Sequence, residues 1–414
     1  MSSFLPIENH SFRQDGIEDR GVPHMLLVDM NSFFASVEQQ ANPFYRNKPL
    51  GVCASMHNTG CIIAASKEAK RLGVTTGTVV WKAKKICPNI ILVPSEPAKY
   101  REVNRRFSRI LEDYSDRIES YSIDESFLDL SDSKINPLLV GVEIKRRIRQ
   151  EIGDVLTCSV GISENKFLAK LASDMNKPDG LTVIWRNQLR EVYKKLRLTD
   201  LWGVARGWER RLSRLGIVSP LDMLGYPVGN LLAAFGKPGF YIWQRINGLE
   251  QDEISSHEDP PKTFGHSWVL NFRSTDKGRL GAVVMRLAEK AARRMRREGF
   301  QARGMYLSVA LAEGKRYSQS RKVGYSMDSG MQLYEEALKM WANWDFSSDA
   351  VQVAVGFFGL TPRQEQLSLF GESRQTNLND SIDLINNKYG EFTVRPGLLV
   401  HTQDFAPDAI AFGK

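Results

Sequence analysis

Long apolar runs are missing from this sequence. No stretch reaches the roughly eighteen consecutive apolar residues that a membrane-spanning helix needs, and the polar segment before His24 has no apolar core of the signal-peptide kind. No contact with a membrane is expected, and the expected location is the cytoplasm. Cysteine is scarce as well: Cys53, Cys61, Cys87 and Cys158 are the 4 present in 414 residues. None has the two-residue spacing of a zinc or redox pair, and so few in so long a chain do not make a disulfide framework. They read as reduced thiols. Acidic residues are in mild deficit, 48 Asp+Glu against 56 Lys+Arg, and the deficit is local. Residues 262–363 hold 17 basic and 9 acidic side chains, which accounts for the whole net charge of +8. A positive face confined to one quarter of the chain looks for a polyanion.

What is there is an ordinary globular composition, 42% hydrophobic and 25% charged, in a chain too long for one domain. Three or four modules are expected. The most telling residues are acidic. Asp29 ends the apolar run Met25-Leu26-Leu27-Val28, and Asp124-Glu125 sit between two strand-like runs in Tyr121-Ser122-Ile123-Asp124-Glu125-Ser126-Phe127-Leu128-Asp129-Leu130. Such acids can converge at one sheet edge and offer hard cations the oxygen ligands they require. Successive strand side chains point to opposite faces, so both members of the pair reach one site only if the chain turns there. Without Asp29, the pair would be an ordinary solvated turn.

Strand and helix patterns alternate without regular βαβ repetition, which favours α+β over a doubly wound sheet. Leu189 to Leu249 reads as nearly all helix, and the polar Ser255 to Pro261, with its paired prolines, reads as a linker. Beyond it come the strand Ser267 to Asn271, the helix Gly281 to Glu298, strands near Met305 to Ala312 and Arg321 to Tyr325, the helix Met331 to Trp344 and the strand Ala350 to Phe358. That order, βαββαβ, predicts a compact sheet with two helices on one face. After Pro362 the pattern thins, and a mobile tail with one short helix around Ser381 to Tyr389 is expected.

With this layout, the chain resembles the Y-family DNA polymerases, the lesion-bypass enzymes, and most closely their UmuC-like branch. Three motifs carry the resemblance in order: Asp29-Met30-Asn31-Ser32-Phe33-Phe34-Ala35-Ser36-Val37-Glu38, then Tyr121 to Asp129 with Ser-Ile-Asp-Glu intact, then Ser159 to Lys170 continuing through Asn176-Lys177-Pro178-Asp179-Gly180. The resemblance implies a right-hand polymerase: a palm at 24–42 and 95–186, small fingers at 43–94, a helical thumb at 187–254, a linker at 255–261 and a βαββαβ little finger at 262–362. An extension at 1–23 and a tail at 363–414 flank them.

The same resemblance implies a DNA-directed DNA polymerase of low fidelity, acting in translesion synthesis, DNA repair and the SOS response on primer-template DNA and dNTPs. Asp29, Asp124 and Glu125 would be its catalytic residues and, with the Met30 carbonyl, would hold two Mg²⁺ ions. Phe34 stands at the steric-gate position. Lys67, Lys70 and Lys177 are the triphosphate-binding candidates, with Lys67 and Lys70 where the commoner family pattern has Tyr and Arg. Gly203 and Ala205 resemble the phosphate-binding turn of a helix-hairpin-helix, Ala205 replacing the usual second glycine. The basic residues Arg286, Lys290, Arg293, Arg294, Arg296 and Arg297 of one helix, extended by Lys315, Arg316, Arg321 and Lys322 on strands, are expected to track DNA phosphates. Gln366-Leu367-Ser368-Leu369-Phe370 resembles the peptide that docks bacterial polymerases on the sliding clamp. UmuC-like relatives also leave room for accessory proteins. Two other classes fit parts of the chain: a catalytically inactive, clamp-bound DNA-binding protein, and a nucleotidyl cyclase on a similar palm.

Overall fold

The computed structural model describes residues 23–249, 253–255, 260–363 and 372–400. These separate into two compact units, one made of 23–41, 99–249 and 253–255, the other of 42–98, 260–363 and 372–400. Among the described residues no helix is long and apolar enough to cross a membrane.

In chain order, β1 (Met25–Met30) leads into α1 (Phe33–Ala41). In the second unit follow β2 (Leu50–Cys53), β3 (Ile62–Ala65), α2 (Lys67–Arg71), α3 (Val80–Ile86) and β4 (Ile91–Pro94), whose strands pair in the order β3-β2-β4. The chain re-enters the first unit along α4 (Pro97–Glu112) and continues through β5 (Ile118–Ser120), β6 (Glu125–Asp129), α5 (Pro137–Arg147), β7 (Cys158–Ser163), α6 (Lys166–Met175) and β8 (Leu181–Val183). Its sheet runs β5-β6-β1-β7-β8. β1 is central and buried along its whole length, which explains why it reads as an unbroken apolar run rather than an alternating one. Helix α6 lies against β7 at Gly161, where an added Cβ would stand 2.0 Å from the Ala169 carbonyl oxygen. Only glycine permits this approach, and it brings the polar edge of α6 to the end of β1.

Five short helices follow: α7 (Leu189–Tyr193), α8 (Arg206–Ser213), α9 (Pro220–Met223), α10 (Val228–Phe235) and α11 (Lys237–Ile246). They share a core with α6 through Phe167, Leu168, Leu171, Leu212, Leu231 and Ile246. Trp202, just before α8, stacks at 6.2 Å on Phe127 of β6 and meets Tyr121 edge-on at 5.3 Å. The helical segment is thereby fixed against the hairpin that carries the acid pair.

In the second unit, β9 (Thr263–Ser274), α12 (Lys277–Arg297), β10 (Phe300–Leu311), β11 (Arg316–Met327), α13 (Gly330–Trp341) and β12 (Ala350–Pro362) follow the βαββαβ order. The strands are longer than their hydrophobic stretches suggest and pair in the order β11-β10-β12-β9. Met305, Leu307 and Val309 turn one sheet face to the helices, packing with Leu287, Ala291 and Leu333.

The expectation of a mobile tail does not hold for residues 372–400. A helix of 18 residues, α14 (Glu372–Tyr389), docks on the C-terminal half of α12. It does so with a polar stripe: Asp383 receives both forks of Arg296, at 2.7 and 2.8 Å, while Asn379 reaches Asp328. Leu399 is buried against Ala282 and Met285. Leu378, Leu384 and Tyr389 of α14 face solvent. The helix expected at Ser381 to Tyr389 is present but begins earlier, at Glu372, and bidentate Arg–carboxylate pairing supplies for its docking what apolar burial usually does.

The four cysteines are free. Burial pushes the Cys53 thiol up to about 11 and the Cys158 thiol up to about 12, so both are inert at neutral pH.

Candidate active site

Asp29 and Glu125 are register partners across the antiparallel β1–β6 pair. Partners in such a pair project from the same sheet face, so both carboxylates arrive at one point. Asp124 lies in the tight turn before β6, where the Tyr121 and Ser122 N–H groups both donate to the Glu125 carbonyl, at 2.9 and 3.1 Å. The turn is clasped from two sides: Met30 N–H donates to the Asp124 carbonyl at 2.9 Å, and the Asn104 amide of α4 donates to the Ile123 carbonyl at 2.8 Å.

Two lysines enter this pocket from α6 and the loop behind it. Lys170 Nζ lies 2.7 Å from Asp29 Oδ2 and 2.7 Å from Glu125 Oε1, and Lys177 Nζ lies 2.5 Å from Asp29 Oδ2. The loop carrying Lys177 is itself held. Asn31 Oδ1 accepts from Asp179 N–H at 2.7 Å, and Lys145 Nζ donates to the carbonyls of Asp179 and Gly180 at 2.5 and 2.9 Å. Sequence reading found Lys177 but assigned no role to Lys170, Asn31 or Lys145. Their partners lie up to 148 positions away in the chain, and only the folded sheet puts them side by side.

The electrostatics follow from this crowding. Burial raises the Asp29 carboxyl, but Lys170 and Lys177 outweigh it and hold the group below the usual carboxylate range. Asp124 is raised by burial, with the Ser122 hydroxyl, which donates to it at 2.7 Å, opposing. Burial and the Asp29 charge push Glu125 up to about 7 despite Lys170. The ammonium of Lys170 is held well above its ordinary range by Asp29 and Glu125, against the effect of burial. Among the described residues, no three His, Cys, Asp or Glu side chains stand close enough together to hold a metal ion as they are. The reason is visible: Lys170 sits between two of the carboxylates, and the third is turned to Ser122. The donor set nonetheless suits a hard divalent ion, because two carboxylates already share a single cation between them.

Phe34 of α1 is buried, its ring stacked on Tyr100 at 4.4 Å and 18°. Tyr100 is fixed in turn, its hydroxyl donating at 2.8 Å to Glu38, which also pairs with Lys99 at 2.7 Å.

Residues 28–174 match the impB/mucB/samB family, and residues 261–369 match the C-terminal domain of the same family. A protein of Moorella thermoacetica named DNA polymerase IV is 35% identical over 89% of this chain and 94% of its own length. One of the same name from Acetivibrio thermocellus is 30% identical over 91% of this chain and 97% of its own. Among solved structures, a Y-family DNA polymerase chimera aligns with a TM-score of 0.73 and 25% identity over 82% of this chain and 99% of that one. The chain belongs to the impB/mucB/samB family. Its fold is the multidomain α+β fold of Y-family polymerases.

The other expected residues lie on the helical segment and in the second unit. Lys67 and Lys70 lie on α2 in the second unit, where the Ser66 hydroxyl caps the helix at Ala69 N–H, 3.3 Å away. Lys67 is half exposed, with Glu68 at 3.9 Å. Gly203 has φ of 84° and open space around it, and Ala205 is the N-terminal cap of α8, with no side-chain bond to the helix.

The single basic surface running from helix to strands is not what the structure presents. Arg286 lies over the Phe392 ring at 4.5 Å, Lys290 is buried with Glu391 at 3.4 Å, and Arg293 bonds Asn387 at 2.5 Å and Glu391 at 3.4 Å. Arg294 turns to the Gly265 carbonyl, and Arg296 is locked to Asp383. This side of α12 is covered by residues 372–400. Arg321 also faces the helices, 3.4 Å from Glu336 of α13. Arg297 remains exposed, and Lys315 lies over Tyr317 at 4.6 Å. By contrast, Arg316, Ser318, Ser320 and Lys322 pair with Ala310, Ser308, Tyr306 and Gly304, on the sheet face away from α12 and α13. Tyr306 lies across Gly356 and Gly265, whose missing side chains keep that face flat. The peptide Gln366 to Phe370 lies outside the described residues.

Proposed function

We propose that this chain is a DNA-directed DNA polymerase that extends a primer on damaged template by nucleotidyl transfer at Asp29, Asp124 and Glu125. The observation that carries the reading is the Asp29–Glu125 pair, opposed across β1 and β6 and already converged on one cation at 2.7 Å from each. Family membership and the relatives named DNA polymerase IV support it.

The carboxylates of Asp29, Asp124 and Glu125, with the Met30 carbonyl at the end of β1, are the residues that would hold two Mg²⁺ ions. When bound, the ions would lower the pKa of the primer 3′-hydroxyl and neutralise the charge that develops on the leaving pyrophosphate. The chain's own residues orient the reactants. Asp29 would be a ligand in this set, and Lys170 and Lys177 lower its proton affinity, so it stays ionised at physiological pH. Lys177, held by the Asn31 and Lys145 contacts, presents an ammonium to the triphosphate from the palm side, and Lys67 and Lys70 of the fingers are proposed for the same anion. Phe34, its ring fixed by Tyr100, sets the steric limit at the sugar and would exclude a 2′-hydroxyl. The fingers sheet is small, 4 residues in each of its strands, and offers little bulk to check the shape of a nascent pair. Tolerance of damaged bases follows from that.

For the DNA, the turn at Gly203 and Ala205 and the flat sheet face bearing Arg316 and Lys322 are the surfaces this reading uses. Both meet phosphates without reading sequence. The peptide Gln366 to Phe370 is proposed to bind the replication sliding clamp, and the cytoplasm is the proposed site of action. Primer extension with Mg²⁺ on plain and lesion-bearing templates tests the reading. Template-dictated extension across the lesion is the expected result. DNA binding without extension would mark an inactive scaffold, and product made from nucleotide alone would mark a cyclase.

A further inference from the structure

Lys170 bridges two of the three carboxylates proposed as metal ligands. Its Nζ is 2.7 Å from one oxygen each of Asp29 and Glu125, and its side chain is only 13% exposed. A second partner waits nearby. Asp174, one turn further along α6, lies 3.6 Å from Lys170 Nζ and 2.7 Å from Lys177 Nζ, is 43% exposed, and is outside the proposed ligand set.

We propose that Lys170 is a built-in counter-ion, which closes the Asp29–Glu125 pair when no divalent ion is bound and is displaced toward Asp174 when one enters. The inference rests on the reading of Asp29, Asp124 and Glu125 as metal ligands. Its physical basis is that two carboxylates forced together in a buried pocket repel strongly unless a cation lies between them. In the metal-free site Lys170 supplies that cation between the pair, while Lys177 lies on the Asp29 side alone, at 2.5 Å. A carboxylate oxygen in a 2.7 Å contact with an ammonium has that lone pair engaged, and a single positive charge does not share the spot with a double one. Metal entry therefore requires the ammonium to leave. Lysine suits this exchange, since its flexible four-carbon stem releases a point charge where an arginine fork would hold on. A contact with Asp174 lets the displaced ammonium stay paired instead of becoming an unpaired buried charge. The device makes metal affinity a competition, so the site is weak for divalent ions until an incoming triphosphate adds its own oxygens.

A merely structural ion pair makes the opposite prediction, because removing it would loosen the carboxylates and weaken metal binding. Titration of the full-length protein with Mn²⁺, a hard divalent probe whose free form is read directly by electron paramagnetic resonance, separates the two. Lys170→Met is expected to bind Mn²⁺ about tenfold more tightly, while its metal-free form melts at a lower temperature and recovers the difference when Mn²⁺ is saturating. Asp174→Asn, an exposed change that leaves the core untouched, is expected to weaken Mn²⁺ binding several-fold, and to have no such effect once Lys170 is Met. Equal or weaker Mn²⁺ binding by Lys170→Met overturns the inference, as does an Asp174→Asn effect that is independent of Lys170. Asp124→Asn guards the underlying reading: if it binds Mn²⁺ as the unsubstituted protein does, the metal-ligand assignment itself fails.

Discussion

Asp29 and Glu125 face each other across two neighbouring strands although 95 residues separate them in the chain, and one lysine bridges them. The pair ties the chemistry to the sheet: moving either strand by one residue would turn its carboxylate to the opposite face.

Removing a carboxylate should stop catalysis without unfolding the protein. Burial works against the ionised form of Asp124, so Asp124→Ala relieves a cost while removing a metal ligand. We expect primer extension to fall about a thousandfold or more, with a melting temperature equal to or above that of the unsubstituted protein. Single-turnover extension and a thermal melt check both halves.

Sugar discrimination should depend on Tyr100 as well as on Phe34. Phe34→Ala is expected to raise ribonucleotide incorporation relative to deoxyribonucleotide. Tyr100→Leu, which removes the ring stacked at 4.4 Å, should raise it part of the way. Tyr100→Phe keeps the stack and should keep discrimination, while losing the Glu38 hydrogen bond should cost about 1–2 kcal/mol of stability. Competition assays with matched rNTP and dNTP distinguish the three.

The pH dependence has a definite sign. The folded, metal-free protein holds Glu125 at about 7, above its ordinary 4.5, so this group binds more protons folded than unfolded between those values. Its contribution to metal-free stability therefore falls as pH rises from about 4.5 to 7. Metal binding needs the ionised form, so Mg²⁺ affinity should fall as pH drops below about 7. Glu125→Gln should bind the metal more weakly and lose the pH dependence in that window. Isothermal titration in two buffers of different ionisation enthalpy reads the proton released.

DNA binding should divide along the two faces of the C-terminal sheet. Arg316→Ala with Lys322→Ala should weaken duplex binding and lower its salt slope by about 2. Arg296→Met should leave DNA affinity unchanged, yet cost about 3 kcal/mol in stability by stranding the Asp383 carboxylate. Fluorescence anisotropy across a salt series and denaturant melts report the two effects.

The motifs around Asp29 and Asp124 were legible in the sequence because each is contiguous and ends or begins an apolar strand, whereas Lys177, in the loop between α6 and β8, stands out only through the family resemblance. The turn that sets Asp124 beside Glu125 could be required on geometric grounds, since alternating strand positions cannot share a site. The sidedness of the C-terminal sheet was not legible. Counting charge finds that residues 262–363 are basic, but whether Arg316 or Arg293 meets solvent depends on which face the helices cover and on a polar helix arriving from 372–389. Lys170 went unassigned for a related reason: on the sequence it is one more lysine in an amphipathic helix, and its meaning comes from two acids on other strands.

Diffraction from crystals grown with primer-template DNA, a non-hydrolysable dNTP and Mn²⁺, with anomalous data collected at the manganese edge, tests the central claim most directly. The account predicts two anomalous peaks about 4 Å apart, with Asp29 bridging them and Asp124 and Glu125 completing their ligands. A dNTP-bound complex with no peak at these three carboxylates, or with manganese held by other residues, would contradict it.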